Sequence, residues 1–161
     1  SSSMAVLDGQ SIVYVLRVPG RRIMSVTLGV GARLPAFCAS MGRVLLSGLE
    51  EPALDQWLHD CTPTRHTVHT VTDTSRLQRI VEDVRRQGYA YVEQELELGL
   101  CSVAVPVHNA EGRIATAINV SMPYHPDVAN EAVRTILPQL QLTAAAIEQC
   151  MPSHGLPAVC A

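Results

Sequence analysis

The chain has 161 residues, a length that fits one domain and allows a sizeable buried core. Hydrophobic residues make up 47% and charged residues only 17%, a composition that excludes a disordered chain. The net charge of −3 and the scattered arginines exclude a basic nucleic-acid-binding face, and no apolar run reaches the roughly 18 residues that a membrane-spanning helix needs.

Two strands are predicted in the first thirty residues. Residues 11–18, SIVYVLRV, are rich in β-branched side chains and alternate well enough for a strand. Pro19-Gly20 signals a turn, and residues 22–30, RIMSVTLGV, have the composition of a second strand. We therefore expect a hairpin in which these two segments pair.

Helices are predicted in the next part of the chain. The first starts at Ser40, and its apolar residues recur at helical spacing: Met41, Val44, Leu45 and Leu49. Residues 50–61 form a second short helix, because acidic residues and a proline favour its first turn. Asp73 or Ser75 caps a third helix, and Gly88 is a suitable residue to end it.

Strands dominate after that point. Residues 67–72 are predicted as a short extended stretch, and three longer strands are predicted over residues 89–95, 99–109 and 114–123. A polar turn joins the last two, which favours an antiparallel pair. The final helix spans residues 127–150 and should kink at Pro138. The order predicts an α+β fold, a mainly antiparallel sheet with helices packed on it.

The sequence offers little for catalysis or metal binding. Five cysteines are widely spaced, at Cys38, Cys61, Cys101, Cys150 and Cys160. No CxxC pair, no GxSxG motif and no phosphate-loop glycine pattern occurs. His66 and His69 would face opposite sides of an extended stretch, which does not suit a metal ion. We therefore predict no catalytic residue, no metal site and no cofactor.

The start of the first predicted helix is a candidate anion site. Ser40 is a favoured N-cap, Met41 offers a soft apolar surface, and Gly42 allows close approach to the backbone. The unpaired N–H groups of a helix start attract anions. An ordinary capped helix explains the same residues, so this stretch alone leaves both interpretations open.

A second polar set lies in the predicted strands, at Ser102, Asn119 and Ser121. Asn119 and Ser121 are two residues apart and therefore share one face of the sheet. Opposite a helix start, these side chains would line a mostly apolar pocket with a few polar groups, the usual form of a small-ligand site. The alternative is that they bond only to neighbouring backbone.

Two runs carry a family resemblance: GARLPAFCASMGRVLLSGL (residues 31–49) and GYAYVEQELELGLCSVAVPVHNAEGRIATAINVSMP (residues 88–123). They resemble the C-terminal effector-binding domain of IclR-type bacterial transcription regulators, from about residue 7 to residue 150. The phrases RLPAFCASMGRVLL and QELELGLCSVAVPV are most similar to the branch that includes PobR, PcaR and PcaU. That branch governs breakdown of 4-hydroxybenzoate and protocatechuate through the β-ketoadipate route.

The resemblance implies a GAF-like (profilin-like) sensor fold that binds a small carboxylate. The carboxylate would meet the backbone N–H groups of Ser40 and Met41, with strand polar groups at Ser102, Asn119 and Ser121. Apolar wall positions would fall on Ile23, Val26, Leu34 and Leu100. The ring of an aromatic acid would be held by Leu34, Met41, Leu45 and Trp57.

Two positions depart from the family pattern. A frequent acidic residue of the family falls on Val92 or Glu93, and only Glu93 is acidic here. An arginine that is common in the family is replaced by Cys101. The resemblance therefore assigns no role to Glu93 or Cys101.

The resemblance also implies the setting of residues 1–161. The chain would be the effector domain of a cytoplasmic regulator that assembles as a homodimer or tetramer and does not contact membranes. A winged helix-turn-helix domain would precede residue 1, and DNA would be bound only through it. The alternatives are an enzyme of GAF-like fold that uses Cys101 or His108, and a sensor of a short aliphatic acid.

Overall fold

A six-stranded sheet organises the computed structural model, which describes residues 1–20 and 28–152. Its strands are β1 (Ser2–Asp8), β2 (Ser11–Val18), β3 (Arg33–Pro35), β4 (Ala90–Glu93), β5 (Leu100–His108) and β6 (Ile114–Pro123). They lie in the order β3-β2-β1-β6-β5-β4, and every neighbouring pair is antiparallel. The predicted α+β fold with an antiparallel sheet is confirmed.

The central strand β1 has no counterpart among the predicted elements. It pairs with β2 on one side and with β6 on the other. The turn between β1 and β2 contains Gly9, whose φ of 60° suits glycine. The hairpin that contains β2 is therefore formed with the preceding segment. Of the strand predicted over residues 22–30, residues 22–27 lie outside the described residues and residues 28–30 form no strand.

Three helices precede β4: α1 (Ser40–Ser47), α2 (Glu51–Asp60) and α3 (Thr74–Gln87). Asp73 caps α3, because its carboxylate accepts a hydrogen bond of 2.9 Å from the backbone N–H of Arg76. Gly88 ends α3 with a φ of 82°, as predicted. The extended stretch predicted over residues 67–72 is wrong, because the Thr70 hydroxyl accepts two backbone N–H groups and closes a turn there.

The last helical segment changes its winding immediately before Pro138. It begins as α4 (Val128–Glu131), continues through a π-helical turn (Ala132–Ile136) and ends as α5 (Leu137–Cys150). Proline has no N–H to donate to the carbonyl one turn earlier, so the regular hydrogen-bond ladder is interrupted. The expected distortion at Pro138 therefore takes the form of a wider turn.

The sheet separates two apolar clusters. Helix α1 covers one face, where the buried residues include Ile12, Met41 and Leu77, while α5 covers the other, over Val103 and Val105 of β5. Strand β5 serves both clusters because successive side chains point to opposite faces. The start of α1 lies over the end of β5 that begins with Leu100, and the polar residues of the sheet meet the helix there.

Candidate functional site

Helix α1 begins without a side-chain cap. Ala39 is its N-cap, with an extended backbone (φ −108°, ψ 139°), and Ser40 is the first helical residue. The prediction that Ser40 is the N-cap is therefore wrong, because the extended conformation falls one residue earlier. The Ser40 hydroxyl instead forms a 2.7 Å hydrogen bond with the Ser102 hydroxyl, which ties the helix start to β5.

The N–H groups at this helix start have no acceptor in the described part of the chain. Within residues 1–20 and 28–152, no atom accepts a hydrogen bond from the backbone N–H of Ser40, Met41 or Gly42. A short 3-10 turn, Ala36–Cys38, precedes the helix, and a Cβ at Gly42 would overlap the backbone of Ala36. Glycine thus allows this turn to pack closely against the start of the helix. Backbone N–H groups at a helix start can receive an anion.

The strand polar residues meet beneath the helix start. Ser102 and Ser121 are direct partners across β5 and β6, and Asn119 lies two residues from Ser121 on the same face. Asn119 is 4% exposed, and its Nδ2 donates to the Ser121 hydroxyl over 3.3 Å. Its Oδ1 is buried and has no hydrogen-bond partner among the described residues. A buried carbonyl of this kind is rare in folded proteins.

A cavity joins these groups. Its empty volume is about 400 Å3, part of which is open to solvent. The interior is narrow, because only about 30 Å3 of this volume is wide enough to hold the centre of a water molecule. The described residues that line it are Ile12, Tyr14, Leu34, Cys38, Ala39, Ser40, Met41, Val92, Glu95, Leu96, Leu100, Ser102, Asn119 and Ser121. The cavity therefore combines apolar walls with a helix start and a few polar side chains.

Most of the sequence-derived site residues lie around this cavity. It is lined by Ser40, Met41, Ser102, Asn119, Ser121, Leu34 and Leu100. Leu45 is buried in the core but does not line it, because it lies one helical turn beyond Met41. Trp57 also lies elsewhere, and its indole N–H donates to the Gly9 carbonyl over 2.8 Å. Ile23 and Val26 lie outside the described residues.

Sequence reasoning missed several lining residues. Ile12 and Tyr14 are two residues apart in β2 and therefore share one face of the sheet. The alternation of the strand residues could have predicted that both face the cavity. Cys38 precedes the helix, and burial raises the pKa of its thiol to about 12. This thiol is therefore protonated at neutral pH and acts as part of the wall.

A buried ion pair supports the wall of the cavity. Arg43 of α1 makes two hydrogen bonds of 2.8 and 2.7 Å to the Glu95 carboxylate, and both side chains are less than 10% exposed. Arg43 Nε also donates to the Phe37 carbonyl, while Glu95 accepts the backbone N–H of Val71. The pair joins α1 to the 3-10 turn and to two loops, and it leaves Arg43 neutralised and so unavailable to a ligand anion.

Strand β4 contains the two positions considered for the family's acidic residue, and they lie on opposite faces of the sheet. Val92 lines the cavity, and Glu93 lies on the opposite face of the sheet, where its carboxylate accepts a 2.7 Å hydrogen bond from the Tyr91 hydroxyl. Burial, Cys101 and Glu93 together raise the pKa of Tyr91. Because neighbouring strand residues alternate between faces, Glu93 does not reach the cavity.

The two residues of the enzymatic alternative do not form a dyad. Cys101 is fully buried on the α5 face, and burial raises the pKa of its thiol. His108 lies seven residues further along β5, roughly 23 Å away at about 3.3 Å per residue. Its Nδ1 lies 2.8 Å from Glu148 of α5, so a separate helix holds it.

Two further features of the described part of the chain bear on its class. None of its helices combines the length and the apolar character that a membrane span demands. Its histidine, cysteine and carboxylate side chains form no group of three or more that could hold a metal ion.

A curled antiparallel sheet with a helix start above its polar end defines a GAF-like α+β domain with a small-molecule cavity. The family model described as the C-terminal domain of the bacterial transcriptional regulator IclR matches residues 1–149. The chain therefore belongs to the IclR family of bacterial transcriptional regulators and contains the C-terminal domain of that family.

The chain is similar to individual regulators and to solved effector domains. It is 38% identical over 156 residues to the Pca regulon regulatory protein of Pseudomonas putida, covering 96% of this chain and 53% of the relative. The inducer-binding domain of Acinetobacter PobR, solved as a double mutant with 3-hydroxybenzoic acid, matches with a TM-score of 0.81 and 31% identity, covering 91% of this chain and 86% of that one.

An IclR homologue of Microbacterium hydrocarbonoxydans, solved with 4-hydroxybenzoate, matches with a TM-score of 0.81 and 26% identity. The match covers 92% of this chain and 59% of that one. The chain spans about half the length of the curated relatives it matches.

Proposed function

We propose that this chain is the ligand-sensing domain of an IclR-type regulator and that it binds a small aromatic carboxylate of the 4-hydroxybenzoate or protocatechuate type. The observation that carries the proposal is the buried Oδ1 of Asn119, which has no partner among the described residues and lies in the same cavity as a helix start whose N–H groups likewise have no acceptor there. A buried acceptor without a partner costs about 1–3 kcal/mol. A ligand that brings a donor to this atom offsets that cost.

The two ends of such a ligand fit the two kinds of polar group. The carboxylate would accept hydrogen bonds from the backbone N–H groups of Ser40 and Met41, where the helix dipole favours negative charge. The flat ring would lie against Leu34, Met41 and Leu100, and a ring hydroxyl would donate to Asn119. Because the free interior is narrow, these apolar side chains would move apart to admit the ring.

The domain would act by binding and not by turnover. Catalysis by Cys101 or His108 is disfavoured because the two residues lie at opposite ends of β5 and neither lines the cavity. A ligand that binds one conformation better than another shifts the balance between them, which is sufficient for a sensor.

The regulatory role concerns the whole protein. In the full-length regulator, a winged helix-turn-helix domain preceding residue 1 would bind DNA in the cytoplasm. The effector domains would assemble as a homodimer or tetramer, and ligand binding would alter the arrangement of the DNA-binding domains. The regulated genes would encode enzymes that degrade aromatic acids, which the 33% identity to the p-hydroxybenzoate hydroxylase transcriptional activator of Acinetobacter baylyi supports.

A thermal-shift panel tests the ligand class. Hydroxybenzoates should raise the melting temperature of the 161-residue chain, because a ligand that binds only the native state stabilises it. Pyruvate and other short aliphatic acids should give a smaller shift at equal concentration. A larger shift with an aliphatic acid would assign the domain to another ligand class, and no shift with any of these acids would contradict the proposal.

A further inference from the structure

Arg17 lies on the same face of the sheet as the polar groups of the cavity. The strand register places it opposite Ser3 of β1, and Ser3 in turn lies opposite Asn119 of β6. Residues directly opposite one another in antiparallel strands point to the same face. Arg17, Ser3 and Asn119 therefore form one cross-strand row, and Asn119 at its end lines the cavity.

The side-chain contacts place the guanidinium beside the cavity. Arg17 Nη1 donates to the Ser3 hydroxyl over 3.3 Å, and Arg17 Cζ lies 5.9 Å from the ring centroid of Tyr14, a lining residue. A guanidinium carries five N–H donors in a fixed fork. The contact with Ser3 uses one of these N–H groups, so the remaining donors can serve another acceptor.

The charge of Arg17 is not neutralised by the described part of the chain. No carboxylate there lies within 4.0 Å of its guanidinium. The two other arginines near the helix start and β3 are paired, Arg33 with Asp8 and Arg43 with Glu95. Of these three arginines, Arg17 is therefore the cation that has room for an acceptor from outside the chain.

The distance across the sheet from Ser102 to Ser3 suits the length of a benzoic acid that has polar groups at both ends of its ring. Ser102 marks the helix start, and Ser3, which Arg17 contacts, lies two strands away. Two strand spacings amount to about 10 Å. A benzoic acid whose carboxylate sits at the helix start would therefore direct its far ring position toward the row that contains Asn119 and Arg17.

We propose that Arg17 is a specificity-determining residue that donates a hydrogen bond to an oxygen on the ring position opposite the carboxylate. This inference rests on the proposed function, since it requires an aromatic acid in the cavity. A hydroxyl satisfies both partners at once, because it donates its proton to Asn119 Oδ1 and accepts an N–H from Arg17. The domain therefore selects 4-hydroxy acids over equally large apolar ones.

The test compares two ligands of similar size, 4-hydroxybenzoate and 4-methylbenzoate, by calorimetry on the 161-residue chain. The wild-type chain should bind the hydroxy acid at least about tenfold more tightly. Arg17→Met should reduce this preference by roughly tenfold, because a hydrogen bond from a charged donor is lost. The exposed Arg113→Met is the matched control and should leave the preference unchanged.

The outcomes separate the possible failures. If Arg17→Met weakens both ligands by the same factor, Arg17 only supports the sheet and the assignment is overturned. If that variant lacks a thermal unfolding transition, Arg17→Leu, which also lacks an N–H donor, should show the same reduced preference, and an unchanged preference overturns the assignment. A wild-type chain that binds both acids equally also overturns it, whereas a chain that binds neither contradicts the proposed function itself.

Discussion

Ser40 and Asn119 contribute to the site in different ways. The Ser40 hydroxyl is already paired with Ser102, so Ser40 offers a ligand its backbone N–H. The Asn119 carbonyl is buried without a partner among the described residues, so this side chain has unused bonding capacity. At the residue scale, recognition is expected to depend on the backbone at one end of the cavity and on a side chain at the other.

Asn119→Ala should weaken binding of 4-hydroxybenzoate by roughly ten- to a hundredfold, and Ser121→Ala should also weaken it. The melting temperature of Asn119→Ala should change little, because the loss of the Nδ2 bond to Ser121 is offset by removal of a buried carbonyl that has no partner among the described residues. Titration calorimetry measures the affinity, and scanning calorimetry measures the melting temperature. The exposed Asn130→Ala is the control, and parental affinity in both pocket variants would show that the ligand lies elsewhere.

Ser40→Ala and Ser40→Pro separate the hydroxyl from the backbone N–H. Both lose the bond to Ser102, but only the proline variant lacks the N–H that would bind the carboxylate. Proline is well tolerated at the first helical position, and Ala39 already has the extended backbone that a following proline requires.

The alanine variant should therefore bind 4-hydroxybenzoate, and the proline variant should lose binding while circular dichroism shows it folded. Equal affinities of the two variants, measured by calorimetry, would exclude the Ser40 N–H as a carboxylate ligand.

Helix α1 is held in place by charge as well as by apolar packing. The Arg43–Glu95 pair joins its second turn to the loop after β4, and further bonds extend to Phe37 and Val71. The same contacts fix the segment that precedes the helix start. At the scale of elements, the cavity keeps its shape because one buried pair links α1, the 3-10 turn and two loops.

Arg43→Ala should lower the free energy of unfolding by about 3–5 kcal/mol, because it leaves the Glu95 carboxylate buried and unpaired. Arg33→Ala breaks the ion pair with Asp8, in which both side chains are more than half exposed, and should cost about 0–1 kcal/mol. Urea denaturation of both variants measures the difference. Equal losses would contradict the role given to the buried pair.

For the whole molecule, local sequence patterns predicted most secondary-structure elements and most of the polar residues that line the cavity. Helical periodicity and the residues at helix ends predicted α1 to α3, and apolar runs joined by a polar turn predicted β5 and β6. Strand positions, together with the resemblance, predicted that Ser102, Asn119 and Ser121 line one cavity. The segment SSMAVLD alternates weakly, and only pairing on both sides makes it the central strand β1. Arg43 and Glu95 are 52 residues apart, so no local pattern could join them.

Isothermal titration calorimetry of this chain with 4-hydroxybenzoate and with its neutral primary amide tests whether the start of α1 binds a carboxylate. We expect one site per chain for the acid and much weaker binding of the amide, because the N–H groups at the start of α1, which have no acceptor among the described residues, favour a negative charge. Equal affinities for acid and amide, or no heat with the acid, would contradict this expectation.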